Sequence, residues 1–247
     1  LFQTEYRQAN LNSNHIADFS FFRENNKNNN NHFSYKFDKI LNFKSFETSK
    51  VDFKLQRTSA QTYLKKNKIK SEIIDDVDVM ENSLKLNLYS NDLSINIETT
   101  AYEDLNKNKN DKYEFIFPKI DLVKKIKNKT SLNGNFLFKS KNLIRNYNTN
   151  IFEKSNVNDL IFTSYPKVTG MGFYNNYEFI IKNSNSHSKK SKNFKNDENL
   201  YVSGLLQINS SLPLIKEKRN HKNILKPKLS FKVAPAHTKD YKSDESI

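Results

Sequence analysis

Residues 83–102 read SLKLNLYSNDLSINIETTAY, and their alternation decides the fold. Leu84, Leu86 and Leu88 recur at every second position, Ser90, Asn91 and Asp92 interrupt, and Leu93, Ile95 and Ile97 resume. Lys85, Asn87, Ser94, Asn96 and Glu98 fill the places between. Successive side chains of an extended chain point to opposite faces, so the stretch predicts a hairpin with one apolar and one polar side.

The same period-2 pattern extends in both directions, and convincing helical periodicity appears nowhere. It predicts strands over 1–9, 14–23, 32–43, 51–57, 83–90, 93–102, 113–126, 130–139, 157–168, 172–183, 200–210 and 224–234. Phe33, Tyr35 and Phe37 oppose Ser34, Lys36 and Asp38; Val51, Phe53 and Leu55 oppose Asp52, Lys54 and Gln56; Leu229, Phe231 and Val233 oppose Lys228, Ser230 and Lys232. In 113–122 the apolar phase of Tyr113, Phe115 and Phe117 switches after Pro118 to Ile120 and Leu122, which predicts a bulge. Pro227 and Pro235 bracket the last predicted strand.

Such one-sided strands serve a half-buried soluble sheet or a membrane barrel equally well. Composition and connections separate the two. Only 36% of the 247 residues are hydrophobic and 28% are charged, with a mean hydropathy of −0.82, which leaves little apolar surface for a conventional core. Connections alternate in length. NLNSN, SND, KNK and TGMG are short, whereas ENNKNNNN, TSAQTYLKKNKIKSEIIDDVDVMEN, EDLNKNKNDK, the stretch from Lys141 to Asn156 and SNSHSKKSKNFKNDEN are long. Short turns at one rim and long loops at the other are the habit of an up-and-down outer-membrane barrel, in which lipid covers the apolar face and a wet lumen meets the polar one. The expected fold is therefore all-β, an antiparallel transmembrane barrel, here a partial one of about 12 strands. Tyr6, Tyr89, Tyr102 and Tyr113, near strand ends, would sit in its interfacial girdles.

Lys and Arg total 41 against 27 acidic residues, a formal charge of +14. This excess suits an anionic partner such as nucleic acid, phospholipid or lipopolysaccharide, and is equally what A- and T-rich codons produce. The chain has no cysteine, so disulfides and thiolate metal sites are excluded. No run of residues approaches the length of a membrane-spanning helix. Leu1 opens inside a predicted strand, and no signal peptide is visible, so residues 1–247 are expected to be an internal piece of a longer chain.

Catalytic, cofactor-binding and metal-ligating residues are assigned nowhere, and the chain reads as a non-enzyme. His15, His32, His187, His221 and His237 lack ligand spacing. TGMGF at 169–173 lacks the third glycine and the helix of a dinucleotide loop and fits a tight turn. Asp75, Asp76 and Asp78 would form either a solvated loop or a divalent-cation site. NKT at 128–130 matches a glycosylation sequon but lies in a predicted turn, and KKSKNFK at 189–195 fits a basic loop or a single-strand nucleic-acid contact. Inward-facing Lys36, Lys54, Lys85, Lys228 and Lys232 would attract phosphates or, among Asp38, Asp52 and Glu98, form a neutralised lining or contacts for a plug.

The succession EYRQAN (5–10), LQRTSAQTYL (55–64), YEFIFPKIDL (113–122), SYPKVTGMGFYNNYEF (164–179) and ILKPKLSFKVAPAHTKD (224–240) resembles the barrel of the lipopolysaccharide-assembly family LptD, also called OstA or Imp. That resemblance implies a Gram-negative outer membrane, a barrel that passes lipopolysaccharide into the outer leaflet, an LptE-like lipoprotein plug in the lumen, and an LptA-like periplasmic bridge joined through a jellyroll domain. The jellyroll and the seam strands of the lateral gate have no counterpart in 1–247, the chain ends KDYKSDESI instead of in an amphipathic strand, and the family's cysteines are absent, so no site residue is carried over. Two other readings stand beside this one: another outer-membrane barrel, porin or receptor, and a soluble basic β-protein binding nucleic acid.

Overall fold

The computed structural model describes residues 1–23, 29–128, 132–194, 196–219 and 221–234; Lys129 and Thr130 of the sequon, Lys195, Pro235, His237 and the segment 239–247 lie outside them. The described chain is an antiparallel all-β meander. In chain order run β1 (Phe2–Ala9), β2 (Ser13–Phe22), β3 (Asn30–Ile40), β4 (Thr48–Thr58), β5 (Val79–Tyr89), β6 (Leu93–Asp104), β7 (Tyr113–Ile126), β8 (Gly134–Tyr147) and β9 (Ile151–Ser164), then β10 (Lys167–Val168), β11 (Tyr174–Lys189), β12 (Asn199–Ser211), β13 (Leu214–Lys218), β14 (His221–Leu225) and β15 (Lys228–Val233). β1 to β9 pair each with the next, followed by β11, β12 and β15; β10 pairs only with β11, and β13–β14 is a separate hairpin. No ladder joins β1 to β15 among the described residues, so the sheet is open at both edges.

Pairing places side chains on a common face, and the register sorts them by polarity. One row of the apolar face runs Val51, Leu86, Ile97, Ile120; the neighbouring row of the polar face runs Asp52, Lys85, Glu98, Lys119. The opening hairpin is β5–β6, paired Leu86 to Ile97 and Leu88 to Ile95. The phase switch at Pro118 is a bulge: Glu98 pairs Lys119 and Thr100 pairs Ile116, so β7 carries one extra residue and keeps Phe115, Phe117, Ile120 and Leu122 on one face. The peptide bond before Pro118 is cis.

The faces are buried in reverse of a soluble protein. Among the described residues thirteen polar or charged side chains are buried against eight hydrophobic ones, while Leu84 (48% exposed), Phe179 (42%) and Phe231 (63%) lie open. Among the described residues the helices are α1 (Tyr63–Lys66) and one short 3-10 turn at Lys109–Lys112, so no long helix covers the apolar face, and the sheet besides the main one is the two-stranded β13–β14 hairpin. Among the described residues the buried hydrophobic cluster, Tyr63, Leu64, Ile69, Met80 and Leu105, is built largely by the β4–β5 connection.

The exposed apolar run drifts across the sheet. The row of Lys39 and Val51 continues through Leu86, Ile97, Ile120, Asn142, Asn156 and Asn185 to Leu200. On β3 the run is centred at Tyr35, on one side of that row; on β5 it is centred at Leu86, on the row; on β15 it is centred at Phe231, whose partner Ile208 lies well to the other side. The shift is about 1.3 residues per strand, or roughly 4 Å along a strand for every ~4.8 Å across the sheet.

Several expected boundaries move. The predicted long loop from Lys141 to Asn156 is strand: β8 runs to Tyr147, β9 starts at Ile151, and the turn is Asn148–Asn150, with positive φ at Asn148 and Thr149. Ser140, Asn142, Asn156 and Asn158 occupy apolar-face positions there and hide the alternation. The predicted strand 224–234 divides at Lys226–Pro227, since proline supplies no donor to a ladder, and the β13–β14 hairpin precedes it, so a long connection stands at the rim where short turns were expected. Tyr89 and Tyr102 pair in register with Thr48 and Glu81 and share the face of Lys85, not the apolar face that holds Tyr6 and Tyr113.

Gly134 opens β8 against the ring of Phe162, which also packs at a tilt on Phe136, with ring centroids 4.7 Å apart. A Cβ there would stand 2.4 Å from the Thr163 carbonyl oxygen and 2.5 Å from that ring. Gly134→Ala is expected to lower stability by about 1–3 kcal/mol through overpacking, read as a shifted urea midpoint.

Candidate functional site

The polar face is the chemically equipped surface. Its long rows bring charges together because alternate positions of β3 to β7 are ionic and the register aligns them. Asp38 faces Asp52, Lys36 faces Lys54, and Asp52 faces Lys85, which in turn faces Glu98. Directly opposed like charges are unfavourable unless compensated, and each pair is compensated from the side. Lys50 reaches Asp52 at 2.6 Å; Lys54 donates to Asp75 at 2.6 Å and Glu81 at 3.1 Å; Lys85 reaches Glu98 at 3.2 Å and Glu81 at 3.5 Å. Asp52, Lys54, Asp75, Glu81 and Lys85 line a cavity of about 250 Å³ with Lys36, Glu72 and Ile73.

A strap, residues 59–78, crosses this face over β1 to β4. The Gln3 amide donates to the Lys70 carbonyl at 2.9 Å, the Gln56 amide to the Ile73 carbonyl at 2.7 Å, and Arg7 meets Glu72 at 3.2 Å. Beneath it lies a buried polar knot: Ser20 Oγ is 2.5 Å from His32 Nδ1 and 2.8 Å from the Tyr63 hydroxyl, with Asp18 3.6 Å from His32 Nε2. Serine, histidine and aspartate in contact suggest a nucleophile and its base. Here all three are sealed at 0–1% exposure with Tyr63 against the serine, so no substrate reaches them, and the knot fastens the strap. A second charged nest sits on the same face at β7 to β9. Arg145 bonds Glu114 at 2.8 Å and lies 3.8 Å from buried Glu153, which accepts from Tyr147 at 2.8 Å and Ser191 at 2.6 Å. A cavity of about 430 Å³ opens beside it, lined by Tyr102, Lys112, Glu114, Arg145 and Tyr147.

The sequence-derived candidates separate accordingly. Lys54 and Lys85 join the neutralised network, whereas Lys228 and Lys232 sit on the polar side of edge strand β15. The acidic run does not converge: Asp75 pairs with Lys54, Asp78 with Lys65, and Asp76 accepts from the Asp78 backbone. Among the described residues no group of three His, Cys, Asp or Glu side chains could hold a metal. His15 bonds the Tyr35 hydroxyl at 2.8 Å and packs at a tilt against Phe37, and His221 belongs to β14. The strap's role as a fastened cover was missed, although its apolar residues Tyr63, Leu64, Ile69 and Ile73 signalled more than a solvated loop. No family model matches the chain, and no curated protein is similar to it.

Hydrogen bonding to Lys54 holds the Asp75 carboxyl below its usual range, and Lys65 does the same for Asp78. A carboxylate whose folded pKa is depressed contributes stability above its unfolded value and loses it as pH falls through the folded one. Amide protection in 69–78, taken relative to the intrinsic exchange rate at each pH, is therefore expected to be high at pH 6 and to fall below about pH 4. Tyr63→Phe, which strips Ser20 of a buried partner, should destabilise the strap by about 1–3 kcal/mol at either pH, seen as lower amide protection across 59–78.

Proposed function

We propose that this chain is wall of an outer-membrane β-barrel that carries lipopolysaccharide to the outer leaflet. The reading is carried by the inversion of the sheet. A polar, ion-paired, strapped face and an uncovered apolar face suit a wet lumen and surrounding hydrocarbon. The drift of the apolar run supports the same reading independently. About 4 Å along the strand for every ~4.8 Å across it corresponds to a tilt of roughly 40–45°, the tilt at which membrane strands cross a bilayer. A belt that follows the membrane plane must slide along the hydrogen-bonded rows by that amount.

Closure would come from strands pairing onto β1 and β15, whose outer edges are open. The assignment to lipopolysaccharide assembly rests on the succession of motifs from EYRQAN to ILKPKLSFKVAPAHTKD. It makes the polar face the surface toward an LptE-like plug and the lipid's sugars and phosphates. Lys54 and Lys85, already neutralised by Asp75, Glu81 and Glu98, then serve chiefly to keep that face wet and balanced.

The full-length protein is expected to partition into detergent, to show heat-modifiable gel mobility, and to copurify with a lipoprotein plug and periplasmic bridge components. Detergent partition without those partners would point to a porin or receptor instead. A detergent-free soluble protein whose nucleic-acid affinity falls steeply with salt would overturn the membrane reading altogether.

A further inference from the structure

The β13–β14 hairpin stands apart from the wall. It interrupts the passage from β12 to β15 at the short-turn rim and forms a two-stranded sheet of its own. Its register divides it along its length. Leu214 pairs with Leu225 and Ile215 with Ile224 at the base, then Lys216 with Asn223 and Glu217 with Lys222 toward the tip. The four base residues are 47% to 65% exposed. Residues 214–226 hold five Lys or Arg and one acid, Glu217, which meets Lys222 at 2.8 Å. Lys216, Arg219 and Lys226 are exposed and form no ion pair with another described residue.

We infer that this hairpin is a foot that docks on anionic phospholipid of the periplasmic leaflet. The inference rests on the membrane reading above, in which the short-turn rim is the periplasmic one. The Leu212 N–H donates to the Pro227 carbonyl at 3.1 Å, four residues beyond the Ile208–Phe231 pair at the centre of the belt. The hairpin therefore leaves the wall about 14 Å along the strands from that centre, or about 10 Å of height at a tilt of ~45°. Leu214, Ile215, Ile224 and Leu225 follow at once, close to the ~15 Å half-thickness of a bilayer core, and the tip's cations lie beyond, where lipid phosphates begin. This layering selects lipid over a protein partner. A protein docks on one face of a hairpin, but both faces are apolar at this base, since Leu214 and Leu225 share one and Ile215 and Ile224 the other. Hydrocarbon followed by phosphate matches that order on either side. Each Lys or Arg near an anionic leaflet shifts the docked population about fivefold, and the lysine stems extend the apolar base.

The test keeps the two separable. Phe179→Trp in the belt reports insertion and Ile224→Trp reports the foot, each as the sole tryptophan of full-length protein in liposomes; residues 1–247 contain none, and any elsewhere is replaced by phenylalanine. Quenching is read with lipid brominated near the tail ends for position 179 and high in the tails for position 224. The liposomes are phosphatidylcholine alone or an equal mixture with phosphatidylglycerol. Tryptophan at 224 should be quenched several-fold more in the mixture, and high salt should remove the difference. Combining Lys216→Gln, Lys222→Gln and Lys226→Gln should also remove it, with quenching at 179 unchanged throughout. Quenching at 224 that is the same in both lipids and in the triple variant overturns docking on anionic lipid. Quenching at 179 with none at 224 in either lipid puts the hairpin in water or on protein, which overturns the foot and leaves the membrane reading standing. Absence of quenching at both positions removes both readings together.

Discussion

An extended sheet satisfies its backbone from strand to strand, yet an apolar face as wide as this one must still be removed from water. Every other feature follows from how that requirement is met. In a soluble sandwich the second layer comes from the same chain. Here, among the described residues, the strap 59–78 is a cover that lies on the opposite, polar face, fastened by Tyr63, Gln56 and Lys54. This folded connection thus covers the side that needs it least for hydrophobic reasons. Leu84, Phe179 and Phe231 are left for something outside the chain.

The polar face shows why that arrangement is stable. Burying ionic side chains costs free energy unless they are paired and hydrogen-bonded. Lys54, Glu81, Lys85 and Glu98 form a linked set, with Thr100 also donating to Glu98; Asp52 is held by Lys50 and Asn87, and Glu153 by Arg145, Tyr147 and Ser191. Serines fill many of the remaining buried positions, small enough to pass beneath the strap and neighbouring strands. Much of the formal charge of +14 is spread over connections and edge strands, away from this balanced interior.

How much of this was legible in the sequence depended on the regularity of alternation. Leu84 to Ile97 fixed the β5–β6 hairpin to within a residue at its turn, and the slip at Pro118 identified the bulge because a single inserted residue moves a whole apolar phase to the other face. The same criterion failed at Ser140, Asn142, Asn156 and Asn158. There amides stand on the apolar face, and a strand pair looks like a polar loop. Pairing partners distant in sequence, such as Tyr63 with Ser20 or Arg7 with Glu72, left no periodic trace and emerge only from the fold. The drift of the apolar run belongs to the same class, since it exists only once registers are known.

The central claim is that hydrocarbon covers the apolar face. Residues 1–247 contain no cysteine, so single cysteines at positions 84 to 88, with any cysteine outside these residues replaced by serine, can be probed with a membrane-impermeant thiol reagent in the full-length protein reconstituted in liposomes. The account predicts that positions 85 and 87 react while 84, 86 and 88 are protected, and that protection is lost when lipid is replaced by urea. Equal reaction at all five positions in liposomes, or protection of 84, 86 and 88 in lipid-free buffer, would contradict it.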